Sequence, residues 1–204
     1  MSFEPAHSNF IGGSNAAARI ACPASFQMQQ KLPVAAKDES SSYADEGSAL
    51  HAAMADILNN DLAADDVLGK VYAPFTDYPI TQDLIDEAIT PCLDFFDKLD
   101  EELGGIEYRI ECRVAVKSIA GIFGTADLIG RAAQSSVIAD WKFGQGVMVL
   151  AWYEDDDGEV VPNEQPMLYL LAATETYPEM FDVDNPNWPI ERIASRRRCA
   201  SPFP

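Results

Sequence analysis

At 204 residues, with 48% hydrophobic and 23% charged side chains, the chain has the composition of one folded domain, not of a disordered polymer. Its formal net charge of −19 excludes a protein that coats duplex DNA through a general surplus of Lys and Arg. Nothing approaches the ~20 apolar residues of a membrane helix, and MSFEPAHSNF lacks a basic region followed by an apolar one, so a soluble cytoplasmic protein is expected.

Residues 14–30 have helical composition, with Ser14 or Asn15 as N-cap, and Pro23 divides them into two pieces around Cys22-Pro23. LPVAAKDESSSYADEG has the composition of a loop. A clearer helix runs over 46–60, where Leu50, Met54, Ile57 and Leu58 form an apolar stripe with His51 at its border. Residues 61–78 are acidic and irregular. Thr81 then caps a helix that runs to about 103, which Pro91 should kink or divide and Gly104-Gly105 should end.

Beyond Gly105 the period changes from helical to alternating. EYRIECRVAVK (107–117) sets Tyr108, Ile110, Cys112, Val114 and Val116 on one face and Glu107, Arg109, Glu111 and Arg113 on the other. IFGTADLIG (122–130), SVIADWK (136–142) and VMVLAWY (147–153) read as three further strands, joined by short connections that favour an antiparallel meander. EDDDGEVVPNEQ is a turn leading to a helix capped by Asn163 and packed through Met167, Leu168, Leu170 and Leu171. Residues 178–204 show no period and are expected to be an irregular tail on a single domain whose core spans 14–177. Cysteines 22, 92, 112 and 199 lack CxxC spacing and read as reduced thiols.

Gly124–Gly146 could carry chemistry. Asp140 and Lys142, two apart on a strand, share a face, with Trp141 opposite beside Val137 and Ala139. A tight hairpin would bring Asp127 beside Asp140, and two adjacent carboxylates favour a cation between them. D-x-K alone is more often an exposed ion pair. Charge distribution leaves room for a local DNA-facing patch here, because residues 61–105 hold twelve acids and two bases whereas 106–146 hold four and five.

CPAS (22–25), YADEGSALHAAMADIL (43–58), FGTADLIG (123–130), VIADWKFGQGVMV (137–149) and NEQPMLY (163–169) occur in an order and spacing that resembles the PD-(D/E)XK nuclease superfamily, in its RecB-like, phage- and prophage-borne branch. The resemblance covers roughly residues 14–175. It implies an α/β (α+β) fold with a restriction-endonuclease-like core, a central mixed sheet of four to five strands flanked by helices. It implies that His51, Asp127, Asp140 and the Trp141 backbone carbonyl hold Mg²⁺ or Mn²⁺, and that Lys142 positions the attacking water.

Several of these residues also admit a structural role. His51 near an apolar stripe is either a ligand or a satisfied structural residue. Gln165 and Tyr169, four apart on one helix face, either touch a DNA strand or orient Lys142, or Tyr169 simply packs on the sheet with its hydroxyl solvated. Glu111 resembles a glutamate of the branch, or it pairs with Arg109 or Arg113. Arg196-Arg197-Arg198 contacts phosphate or belongs to a solvated tail. No iron–sulfur cluster is expected, since only Cys199 follows the core where the cluster-bearing relatives place three cysteines.

The implied function is a Mg²⁺- or Mn²⁺-dependent deoxyribonuclease, an exonuclease or processor of ends or single strands, acting in phage-type recombination with a recombination partner protein. The competing expectation is an inactive nuclease-fold module for DNA binding or assembly. A small-molecule hydrolase, the third possibility, lacks a nucleophile–histidine pairing, since the histidines are His7 and His51 and there is no G-x-S-x-G.

Overall fold

The computed structural model of the chain describes residues 8, 10–31, 42–133, 135–143, 152–154, 157–181 and 192–197. These fall into two compact units that alternate along the sequence. The first takes residues 1–38, 107–139 and 150–194, and the second takes 39–106, 140–149 and 195–204. The fold is mixed α and β.

In the first unit, a 3-10 turn (Gly13–Asn15) leads into α1 (Ala16–Ala21) and α2 (Ser25–Gln30), separated at Cys22-Pro23 as the proline requires. Asn15 occupies the N-cap position of α1 but does not cap it, because its Oδ1 accepts from the Gly12 N–H at 2.9 Å instead. Arg19, buried, ties the pair together by donating to the Phe10 carbonyl, Ser25 Oγ and Gln29 Oε1.

Three strands form an antiparallel meander: β1 (Glu107–Ala115), β2 (Phe123–Ala132) and β3 (Ser135–Lys142). The β2–β3 turn is tight, with Ala132 paired to Ser135, and the ladder runs back to Leu128↔Ala139. β2 and β3 are buried almost throughout, which explains why their sequences read as continuous apolar runs where β1 alternates. Leu128, Ile129, Val137 and Ile138 are all under 2% exposed.

Helix α6 (Glu164–Thr176) packs on β1 and β2. Of the expected face, Leu170 is buried and Leu168 packs against the core, but Leu171 is 49% exposed, and Tyr169, Ala172 and Ala173 complete the inward side. Two small alanines let the helix lie close to the sheet, whose side of this core is lined by Cys112, Val114, Ala126, Ile129 and Ile138.

Two segments correct the sequence expectation. Trp152–Glu154 (β4) pairs with Val160–Pro162 (β5) in a separate two-stranded ladder, so part of the expected turn before α6 is strand. The 178–204 segment is not wholly irregular. Pro178–Met180 forms a 3-10 turn that buries Met180 and Phe181, and Arg192–Arg197 forms β6, which neighbours β3 in the sheet order β1-β2-β3-β6. Residues 32–41 and 147–151, expected as loop and strand, lie outside the described residues.

The second unit begins with α3 (Ser42–Asn60), whose Leu50, Met54 and Ile57 are buried as the stripe predicts. Asp56 on α3 accepts from Lys70 Nζ at 2.9 Å and Tyr72 Oη at 2.8 Å and anchors the acidic loop. Those bonds hold the Asp56 carboxyl below its usual pKa, while burial and the same carboxylate raise the Tyr72 phenol.

Thr81 Oγ1 accepts from the Leu84 N–H and caps α4 (Gln82–Leu84). The helix then widens into a π segment at Ile85–Ile89 and resumes as α5 (Thr90–Leu103). Pro91 explains the change, because it has no N–H for the i−4 carbonyl and its ring crowds that turn. Gly104, at φ 74°, terminates α5 by donating its N–H to the Asp100 and Glu101 carbonyls. Among the described residues no helix is long and apolar enough to cross a membrane.

Candidate functional site

The first unit brings two acids together where β1 and β2 are irregular. Ile110 pairs with Leu128 and Cys112 with Ala126, but no ladder pair joins Glu111 to Asp127 between them. Glu111 has φ 50°, the left-handed region, which costs a non-glycine residue about 1–2 kcal/mol. Side-chain alternation slips at this point. Arg109 lies 4.9 Å over the ring of Tyr177, which packs against the core that holds Cys112, although residues three apart on a regular strand face opposite sides.

The slip changes the assignment of faces. Glu111 does not join Arg109 and Arg113 on one polar face, and Arg109 pairs with Glu179 at 3.1 Å. Tyr108 and Ile110 leave the apolar face, and Cys112, Val114 and Val116 keep it. One carboxylate oxygen of Glu111 lies within 4.8 Å of one of Asp127. Asp127 is 8% exposed. Glu111 retains exposed surface, yet protein atoms crowd its carboxyl and this desolvation raises its pKa.

Asp127 precedes Leu128 and Asp140 follows Ala139, so the two aspartates are the next residues outward from the last pair of the β2–β3 ladder. Asp140, Trp141, Lys142 and His51 belong to the second unit. Asp140 is 4% exposed, and its Oδ2 receives the Lys142 ammonium, which remains partly exposed. The two side chains therefore share a side, as their spacing predicts, and the buried Trp141 indole takes the other. His51 on α3, half-buried, stands edge-on to Phe143 with ring centroids 5.1 Å apart, beside the end of β3. Phe143 was not among the residues singled out by motif. Its position one past the lysine was the available signal.

On α6, Asn163 caps the helix by accepting from the Gln165 N–H at 3.0 Å. Gln165 is half-buried, whereas Tyr169 is 3% exposed and belongs to the core under α6. A Cβ on Gly13 would stand 2.2 Å from the Tyr169 hydroxyl. The tyrosine thus requires a glycine at that place, and its hydroxyl packs against backbone instead of lying in open solvent. The described cysteines are free thiols, Cys22 exposed and Cys92 and Cys112 buried.

No solved structure matches the chain. A family model, described as a protein of unknown function (DUF2800), matches residues 8–190. That span contains His51, Glu111, Asp127, Asp140, Trp141, Lys142, Gln165 and Tyr169. The chain belongs to the DUF2800 family.

Proposed function

We propose that the chain is a metal-dependent deoxyribonuclease with a restriction-endonuclease-like core, acting on ends or single strands of DNA. The observation that carries this proposal is the Glu111–Asp127 pair, two acids within 4.8 Å across a ladder that a left-handed backbone interrupts. Oxygen ligands at about 2.0–2.6 Å from one cation stand no more than about 5.2 Å apart, and the pair meets that limit. Carboxylates suit Mg²⁺ or Mn²⁺, and an imidazole in the set favours Mn²⁺.

By the family resemblance, His51, Asp127, Asp140 and the Trp141 carbonyl would hold the cation. Glu111, with a carboxylate oxygen within 4.8 Å of one of Asp127, is a further candidate ligand. When bound, the cation supplies Lewis-acid polarisation of the scissile phosphate and offsets charge on the leaving oxygen. Lys142, its ammonium steadied by Asp140, orients the attacking water for in-line displacement. Gln165, half-buried in the first turn of α6, would touch the strand, and Tyr169 anchors the helix that carries it. Phage-type recombination or DNA end processing is the setting that the resemblance implies, with a recombination protein as partner.

The test is cleavage of labelled linear DNA by purified protein with Mn²⁺ or Mg²⁺. Asp140→Ala and Lys142→Ala should each abolish it, and EDTA should abolish it in the wild type. DNA binding with no cleavage under any divalent cation would instead identify an inactive binding module.

A further inference from the structure

The segment before α1 presents an aromatic ring at the surface of the first unit. Ser8 donates its N–H to the Phe123 carbonyl at 3.1 Å, and Ile11 bridges Ile122 in parallel, which holds this segment beside the start of β2. Phe10, between them, is 40% exposed. Its N–H donates to Ser8 Oγ at 3.0 Å, and its carbonyl accepts from Arg19 Nε at 2.9 Å. Its ring meets that of Phe26 on α2 edge to face, with centroids 5.3 Å apart. The buried Arg19 guanidinium in turn lies over the Phe26 ring at 5.4 Å. An exposed ring held through its backbone and its neighbours has little freedom to lose when a ligand covers it.

We infer that Phe10 and Phe26 form a stacking platform for the bases of a single nucleic-acid strand. This rests on the nuclease proposal above and extends it from cleavage to the holding of substrate. Charge complementarity favours that occupant. Residues 5–37 include Arg19, Lys31 and Lys37 and no acid, although 33 of the 204 residues are acidic. A polyanion approaching this segment therefore meets no like charge from it. An aromatic ring accepts any base, and stacking beside basic side chains holds single strands without reading their sequence. Gln27 and Gln30, exposed on α2, add amide donors. The position also suits a strand that reaches the acid pair. Phe123 and Asp127 are four residues apart on β2, about 13 Å, or about four stacked nucleotides at ~3.4 Å each.

The experiment is fluorescence anisotropy of a fluorescein-labelled oligo(dT) of about 20 nucleotides in EDTA, where metal-dependent cleavage cannot occur, titrated at several salt concentrations. An abasic oligomer of the same length, which keeps the phosphates and lacks the bases, is the second probe. The wild type should bind oligo(dT) at least about tenfold more tightly than the abasic oligomer. Phe10→Leu is expected to weaken oligo(dT) binding about tenfold while leaving the slope of log K against log salt unchanged, and Phe10→Tyr should restore the affinity. On the abasic oligomer Phe10→Leu and wild type should bind alike, which loss of a merely structural contact would not produce. Val160→Thr, at another exposed apolar side chain, should change none of these values. If Phe10→Leu does not fold, ultraviolet cross-linking of a bromouracil-substituted strand to the wild type decides. Adducts on Phe10 or Phe26 support the platform, and adducts only elsewhere overturn it.

A folded Phe10→Leu protein with wild-type affinity for oligo(dT), or a wild type that binds both probes equally or neither, overturns the platform. If Phe10→Leu instead turns a dimer into a monomer in analytical ultracentrifugation and leaves oligo(dT) affinity untouched, the patch is a contact between copies and the platform falls. In either case a wild type that cuts labelled DNA in Mn²⁺ leaves the nuclease proposal standing. A wild type that prefers oligo(dT) through Phe10 and cuts under no divalent cation overturns the nuclease proposal and keeps the platform.

Discussion

Glu111 and Asp127 face each other across β1 and β2 with ladder pairs on both sides of them and none between. The backbone at Glu111 is left-handed, and the two carboxylates approach within 4.8 Å. Two acids so close raise each other's proton affinity unless a cation or a proton lies between them. Strain of this kind persists only where surrounding structure holds it, and functional sites are where it concentrates.

If the pair binds a cation, Mn²⁺ should stabilise the fold. At one hundred times its dissociation constant the gain is about 2.7 kcal/mol. Thermal unfolding with and without Mn²⁺ reads this directly. Glu111→Gln and Asp127→Asn should each lose most of the shift. An unchanged melting temperature in the wild type would remove the metal site.

Without metal, the raised Glu111 pKa makes a prediction of opposite character. The unfolded chain releases this proton near the ordinary 4.5, and the folded chain holds it to higher pH. Between the two values the unfolded state binds fewer protons, so this group's stabilising contribution is complete at low pH and is lost as pH rises through the folded pKa. Glu111→Gln cannot ionise. In EDTA its stability relative to wild type should therefore climb as pH is taken from below 4.5 to neutral, measured by urea unfolding. A pH-independent difference would contradict it.

Gly13 should not tolerate a side chain. Its Cβ would meet the Tyr169 hydroxyl at 2.2 Å, and Tyr169 is held by the core and cannot retreat. Gly13→Ala is expected to cost about 1–3 kcal/mol, as overpacking does. Tyr169→Leu in the same chain should recover part of that loss, since it removes the obstructing phenol. Equal stability of wild type and Gly13→Ala in denaturant titration would refute the contact.

The Thr81 cap gives a smaller, local effect. Its Oγ1 takes up the Leu84 N–H at 3.3 Å. Thr81→Ala should cost about 1 kcal/mol and Thr81→Ser far less. Hydrogen exchange should show the loss first at the α4 end of the helical run.

Much of this was legible in the sequence, because the signals were local and periodic. The α3 stripe, the Thr81 start, the Gly104 stop and the first three strands follow from spacing and from turn chemistry. Asp140 and Lys142 share a side because a strand repeats every two residues. What escaped notice was set by tertiary context. A left-handed φ at a glutamate leaves no mark in composition, so the alternation across residues 107–117 looked unbroken when it slips at 111. On α6 the buried face is carried by Ala172 and Ala173, whose small size makes them weak signals, while Leu171 advertises a core it does not join. Val160–Pro162 and Arg192–Arg197 are short strands in polar surroundings, and pairing alone defines them.

Along the chain, one change from the first compact unit to the second falls between Ala139 and Asp140, inside β3. Neither unit is a contiguous stretch of chain, since each is assembled from three separated segments. No single cut in the gene yields one of them whole, and a nascent polypeptide halted at Ala139 possesses the material of neither. Each unit therefore closes only when segments far apart in the chain have met, which makes its assembly depend on long-range contacts.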